Sequence, residues 1–290
     1  MKETIVLPSR KEAGTVISLT ALFLLLTAVC IGLRPEHVFM VGLYLLLFFA
    51  SKTTRKLAVA LLPFALFGIS YDWMRVFPNY EANPIDVESL YNLEKSLFGI
   101  NDNGNILIPC EYFAIHNCQI ADFLAGIFYL CWVPVPIAFG LWLYLKGDRN
   151  LYLRFSMVFL FVNLIGFAGY YIHPAAPPWY AINYGFEPIL DTPGNVAGLG
   201  RFDALTGLSR SEERRVGKEC RSPSLHAAYM VVALCYAIIN KCNKFVIILF
   251  AIIMAGIWGT AVYTSHHYII DVTLGICCAL LGILLFEKGL

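Results

Sequence analysis

Two histidines and an aspartate are the residues of this chain best suited to do chemistry. His226 lies in Pro223-Ser224-Leu225-His226; His267 and Asp271 lie in His266-His267-Tyr268-Ile269-Ile270-Asp271. Each stretch stands where a polar loop meets a long apolar run, a setting in which ionisable groups are costly to place. Read as helix, His267 and Asp271 at i and i+4 share a face, about 6 Å apart along the axis. A carboxylate there can hold one imidazole nitrogen, fix the tautomer and leave the other nitrogen to a substrate. With His226 brought alongside, the set comprises a nucleophile, its orienting group and an acid–base partner. Plainer readings stand beside this one. The His267–Asp271 pair could merely brace two helices, and Ser224 could be the N-cap of an ordinary helix. A zinc site of His226, His266, His267 and Asp271 is the competing chemistry. Adjacent histidines on a helix point about 100° apart, and no Cys or further Glu accompanies them, which argues against zinc and gives His266 a structural role.

The elements that must position these residues are membrane spans. The chain of 290 residues is 59% hydrophobic and only 14% charged, with a mean hydropathy of +0.68. Soluble domains carry about 25% charged residues, so an all-α, polytopic membrane helix bundle is expected. A net charge of +1 gives no reason to expect nucleic acid as a partner. Eight apolar runs are visible, at 15–33, 36–51, 57–72, 120–145, 151–172, 225–240, 244–263 and 268–286. The first has no small-residue cleavage pattern after it and reads as a retained span. With the N-terminus inside, twelve Lys and Arg fall on the cytoplasmic side, against Arg34, Arg75, Lys95 and Arg201 outside plus five in one aberrant segment. Both termini are therefore expected in the cytoplasm. His226 and His267 then open the sixth and eighth spans at the extracytoplasmic face, where the active site is expected.

The loops add detail. In the long loop 73–118, Leu90, Leu93, Leu97 and Phe98 recur at helical spacing and predict an amphipathic surface helix over Ser89–Leu97. Asn101–Asn105 reads as a turn. Pro134 and Pro136 predict a break in the fourth span. Pro174, Pro177 and Pro178 end the fifth, and Trp179 and Tyr180 suit the membrane interface. Cys110 and Cys118 share an outer loop, where a disulfide could persist. Residues 210–222, with Arg210, Arg214, Arg215, Lys218 and Arg221, offend the charge bias. The run resembles the in-frame translation of a sequencing-adapter oligonucleotide and is read as foreign to the chain, with no function assigned. Resequencing the gene tests this, since a clean read encoding these residues would remove the idea.

The spacing of the two motifs resembles the phosphatidic-acid phosphatase type 2 superfamily. Its motif Pro-Ser-x-His matches Pro223, Ser224 and His226. Its Ser-Arg-x5-His-x3-Asp matches at His267 and Asp271, with Thr260-Ala261 in place of Ser-Arg, and its Lys-x6-Arg-Pro motif is absent. These departures, Tyr263-x-x-His266-His267-Tyr268-x-x-Asp271, Ala176-Pro-Pro-Trp179 and Arg201-Phe-Asp203 are similar to the inositol phosphorylceramide synthase branch. The resemblance covers roughly Tyr71 to Phe286. It implies a six-helix phosphatase-like core within a catalytic membrane domain at 57–290, preceded by N-terminal spans at 1–56. It implies that phosphoinositol passes from a phosphoinositide to a ceramide-like acceptor. His267 would be the nucleophile that becomes phosphohistidine, Asp271 its orienting group and His226 the acid and base. No cofactor or metal is called for. Arg201 and Arg75, with Ser224 and Tyr268 from the motifs, complete the expected substrate-binding set; Lys95 is a weaker candidate. Arg75 could instead anchor at the interface or pair with Asp72. The same triad would also serve a lipid or polyprenyl phosphate phosphatase. A transporter relaying protons through His and Asp is the rival class, but it predicts charges deep within spans, and these are missing.

Overall fold

The computed structural model describes residues 7–190, 192, 197–207 and 222–288. The run at 210–221 therefore lies outside the described residues; Ser222 lies inside. The chain divides into two compact units, Met1–Phe77 and Pro78–Leu290. This division falls later than the 56/57 boundary drawn from the sequence, and puts the third apolar run in the first unit.

The first unit comprises α1 (Arg10–Cys30), α2 (Pro35–Ala50), α3 (Lys52–Ala60) and α4 (Leu62–Trp73). Ser9 caps α1, its Oγ accepting the Glu12 N–H while Glu12 reaches back to the Ser9 N–H. The third apolar run is bent by 47° between α3 and α4. Pro63, in the first turn of α4, cannot donate to the carbonyl four residues back, which releases the helix there.

The second unit opens with α5 (Asn79–Ala82) and α6 (Glu88–Phe98). A hairpin of β1 (Ile100–Asp102) and β2 (Asn105–Leu107) follows, turning at Asn103 and Gly104. Both turn residues have positive φ, as a tight hairpin whose twist matches its strands requires. Then come α7 (Pro109–Ile115), α8 (Gln119–Cys131), α9 (Pro134–Lys146), α10 (Arg149–Ile172), α11 (Pro178–Tyr184), α12 (Ala197–Thr206), α13 (Leu225–Ile239), α14 (Lys244–Tyr263) and α15 (Ile269–Lys288). The fourth apolar run breaks where Pro134 opens α9, as its prolines predict.

Among the described residues five helices are long and apolar enough to cross a membrane, or six if the bent α3–α4 pair counts as one span. The apolar helices α2 and α13, of 16 and 15 residues, are shorter. All eight apolar runs are thus helical, and the two short helices are the runs at 36–51 and 225–240, whose length in the sequence already falls below the ~20 residues of a perpendicular span. The protein is a multi-pass integral membrane protein with an all-α fold.

In the second unit α13 is the central helix, packed by α9, α10, α14 and α15. Its face is rich in alanine, and Ala227, Ala228, Ala233 and Ala237 are all fully buried. Glycine permits the closest approach. A Cβ on Gly275 of α15 would lie 2.1 Å from the Ser224 carbonyl oxygen, and one on Gly166 of α10 would lie 2.5 Å from Leu225. The start of α13 is therefore seated directly against α15. A buried cluster including Ile108, Cys110, Trp179, Tyr180 and Tyr268 packs beside it. Trp179 and Tyr180 thus belong to the core rather than to an interfacial belt, because α11 packs on α6 and α7.

Candidate active site

The loop Thr264–Tyr268 turns the chain from α14 into α15. Ser265 takes a positive φ, and the backbone N–H groups of His266 and His267 both donate to the Ala261 carbonyl, at 2.9 and 3.0 Å. His267 therefore stands in a folded loop two residues before α15, not on the helix as the i, i+4 reading supposed. The reversal still delivers its ring to Asp271 in the first turn.

Asp271 is buried and heavily used. Its Oδ2 accepts the Tyr268 N–H at 3.2 Å and lies 3.5 Å from His267 Nδ1. Its Oδ1 accepts the Ser222 hydroxyl at 2.6 Å, and its carbonyl accepts the Ser224 N–H at 3.0 Å. One carboxylate thus caps α15, anchors the entry to α13 and faces one nitrogen of His267. The other nitrogen, Nε2, lies 3.2 Å from Nδ1 of His226. A contact of this kind needs a donor and an acceptor, so one imidazole presents a lone pair and the other a proton.

His226 sits in the first turn of α13, with its ring 4.1 Å from that of Trp132 and 5.9 Å from that of Tyr129 between centroids. These residues, with Ile257, Thr260, Ala261, His266 and His267, line a small cleft. Its volume of about 10 Å³ is room for one water-sized group.

The other expected residues fall in different places. Ser224 occupies the N-cap of α13, but its side chain makes no capping bond; Oγ is buried without a partner among the described residues. Tyr268 is 0% exposed and packed in the core cluster, so its ring is part of the wall behind the site rather than a substrate contact. Burial, and then Cys110, pushes its phenol well above the ordinary range. Arg201 is on α12, not in a loop. Its Nε donates to Asp122 at 2.6 Å and its guanidinium lies 5.3 Å over the Tyr263 ring, while Tyr263 donates to the same carboxylate at 2.8 Å. Its Nη2 is buried without a partner among the described residues. Arg75, in the first unit, has its Nε 3.5 Å from Asp72, the ion-pair alternative. Lys95 lies over the Tyr91 ring. Cys110 and Cys118 are both free thiols, not a disulfide. Cys110 is buried, with Sγ donating to the His267 carbonyl at 3.6 Å, while Cys118 is exposed at the start of α8. Burial raises the Cys110 thiol well above its usual pKa. His266 turns Nδ1 to Thr264. Among the described residues no three His, Cys, Asp or Glu side chains are grouped to hold a metal.

Two contributors escape the motif reading. Ser222 belongs to the run set aside from the chain, yet it holds Asp271. Glu94 of α6 is 0% exposed and accepts the N–H groups of Ile269 and Ile270, at 2.8 and 3.2 Å. It thereby caps α15 from a separate helix. Burial raises its pKa above the ordinary carboxylate value, Asp271 adds to the rise, and the two backbone N–H groups oppose it. The helix α6 buries Leu90, Tyr91 and Glu94 and leaves Leu93, Leu97 and Phe98 exposed, so of the leucine stripe only Leu90 faces the protein.

The chain is 71% identical over 287 residues to the phosphoinositol dihydroceramide synthase of Bacteroides thetaiotaomicron, covering 98% of this chain and 94% of that one. It is 29% identical over 211 residues to the inositol phosphorylceramide synthase of Candida albicans, covering 70% of this chain and 42% of that one. It is 26% identical over 235 residues to the inositol phosphorylceramide synthase catalytic subunit AUR1 of Saccharomyces cerevisiae, covering 78% and 56%. The chain thus spans about half the length of these fungal relatives. No solved structure matches. A family model described as the PAP2 superfamily matches residues 105–285, a stretch that holds His226, His267 and Asp271, and the chain belongs to that superfamily.

Proposed function

We propose that this enzyme moves phosphoinositol from a phosphoinositide to a ceramide-like lipid through a phosphohistidine at His267. The observation that carries this reading is the alignment of the three side chains: Asp271 on Nδ1 of His267, and His226 facing Nε2. With its Nδ1 proton directed at Asp271, His267 presents the Nε2 lone pair to the cleft. That nitrogen attacks the donor phosphorus; the P–N bond forms and the P–O bond to the diacylglycerol oxygen breaks. His226 gives its proton to that departing alkoxide. In the second step the acceptor hydroxyl returns a proton to His226 and attacks phosphorus, the P–N bond breaks, and His267 is regenerated. Asp271 steadies the ring, which is positively charged while it carries the phosphoryl group.

Phosphoryl oxygens would take the place of the His226–His267 contact. The partnerless Oγ of Ser224 and the first N–H groups of α13 are suited to them, since a helix N-terminus favours an anion. Arg201, with its partnerless Nη2, supplies a cation in place of the missing motif arginine. The relatives' names support the phosphoinositol headgroup and the ceramide-type acceptor. The charge bias of the loops supports a site facing away from the cytoplasm, with both termini inside.

Membranes holding the protein, given fluorescent ceramide and phosphatidylinositol, test this reading. The expected product is an inositol-phosphate-bearing ceramide that His267→Ala fails to make. Phosphate release from a phosphomonoester without that product would make the enzyme a phosphatase instead.

A further inference from the structure

The first unit contains a second polar cluster, and it is joined to an apolar groove. Asp72, at the end of α4, is paired with Arg34 and lies 3.5 Å from Nε of Arg75. His37 of α2 completes the cluster. Its Nδ1 accepts the Arg34 backbone N–H at 3.1 Å, and its Nε2 lies 2.8 Å from Asp72 Oδ2 and 3.2 Å from Arg34 Nη2. In this arrangement two guanidinium groups face one carboxylate. Glu36, the neighbouring acid, makes no ion pair among the described residues. The Arg34 Nε is buried without a partner, while Arg75 keeps 52% of its side chain exposed. Among the groups in contact, two cations thus meet one carboxylate, with donors to spare.

One helical turn further along the same helices the surface becomes apolar. Phe23 of α1, Met40, Val41 and Tyr44 of α2, and Ala65 and Ile69 of α4 line a groove of about 190 Å³. Met40 and Val41 follow His37 by three and four residues, and Ile69 precedes Asp72 by three, so cluster and groove share one face about 5 Å apart along each axis. The Phe23 ring meets the His37 ring edge-on at 6.3 Å, closing the join.

We propose that this face of the first unit binds one anionic glycerophospholipid, with its phosphate on Arg34 and Arg75 and an acyl chain in the groove. The match is one of order as well as of chemistry: cation, then apolar channel, in the sequence in which a lipid presents phosphate and chain. A zwitterionic lipid fits the groove equally but carries a trimethylammonium group beside its phosphate, which the two guanidinium groups repel. The site is built wholly from the first unit and does not depend on the reaction assigned to His267.

The test is native mass spectrometry of the purified full-length protein equilibrated with equal dioleoyl phosphatidylglycerol and dioleoyl phosphatidylcholine. The expected result is one retained lipid, with phosphatidylglycerol favoured about three- to fivefold. Arg34→Gln with Arg75→Gln should bring the ratio to about one. Arg75→Gln alone, at an exposed position, should lower it partway and keeps the test readable if the double variant does not fold. Ala65→Trp, which fills the groove, should reduce retention of both lipids. His267→Ala should leave the ratio unchanged. Equal retention of the two lipids by the unaltered protein, or a preference that survives the arginine substitutions, would overturn the proposal.

Discussion

The two units each hold a histidine against an aspartate, and they use the pair differently. In the first, both nitrogens of His37 are occupied: Nδ1 accepts a backbone N–H and Nε2 faces Asp72. In the second, Nδ1 of His267 faces Asp271, while Nε2 meets only another titratable ring at the edge of a cleft. The carboxylates differ as well. Asp72 is surrounded by guanidinium groups; Asp271 takes its hydrogen bonds from Tyr268 and Ser222, and its carbonyl holds Ser224, all parts of the backbone that frames the site. A His–Asp pair can serve a substrate only where one nitrogen is left for it. By that criterion the His267 pair is suited to chemistry and the His37 pair to holding structure and charge.

The largest test of this contrast compares the two carboxylates. Asp271→Asn should lower kcat for phosphoinositol transfer by about 10³–10⁴-fold, as loss of an orienting carboxylate does elsewhere. Asp72→Asn should leave kcat within about twofold and lower stability by about 1–3 kcal/mol, because Arg34 loses its partner. Steady-state kinetics and thermal unfolding in detergent read the two effects separately. Equal losses of kcat would erase the distinction.

Next comes the seat of His226. Gly275→Ala places a Cβ against the Ser224 carbonyl, and neither backbone can yield cheaply. Displacement of His226 from His267 should lower kcat by about 10²-fold. An alanine variant with normal kcat would show that the close approach of α13 to α15 does not set the geometry.

The smallest expected effects concern Glu94. Glu94→Ala orphans two N–H groups at the start of α15, costs about 2–4 kcal/mol and should lower kcat about tenfold. Glu94→Gln separates charge from shape. Because burial raises the folded pKa above the ordinary 4.5, the protonated acid is the form favoured by folding. This contribution is fully present below the unfolded value and is lost as pH rises through the folded one. Thermal unfolding should therefore show unaltered protein losing stability relative to Glu94→Gln across that window. A pH dependence shared by both proteins would assign the titration to another group.

The meeting of His226, His267 and Asp271 is legible because motif spacing survives folding: the three side chains lie together, at 3.2 and 3.5 Å. The break at Pro134 and the turn at Asn103-Gly104 were legible for local reasons, a missing N–H and a tolerance of positive φ. Glu94 was not. A carboxylate on an amphipathic helix ordinarily faces water, and only packing of α6 against α15 buries it. The one signal was its position three and four residues after Tyr91 and Leu90, the residues whose face it shares. Trp179 and Tyr180 are core residues where an interface is expected, because amphipathic aromatics suit both settings. The backbone reversal at Ser265 had no readable cause, since serine seldom adopts a positive φ.

The proposed mechanism turns on His267 carrying the phosphoryl group. The most direct measurement is peptide-level mass spectrometry of the protein mixed with phosphatidylinositol and no acceptor, quenched at alkaline pH to preserve a phosphohistidine. An inositol-phosphate adduct is expected on His267, disappearing when ceramide is added and never forming on His267→Ala. Product formation by unaltered protein with no adduct on His267 would contradict it.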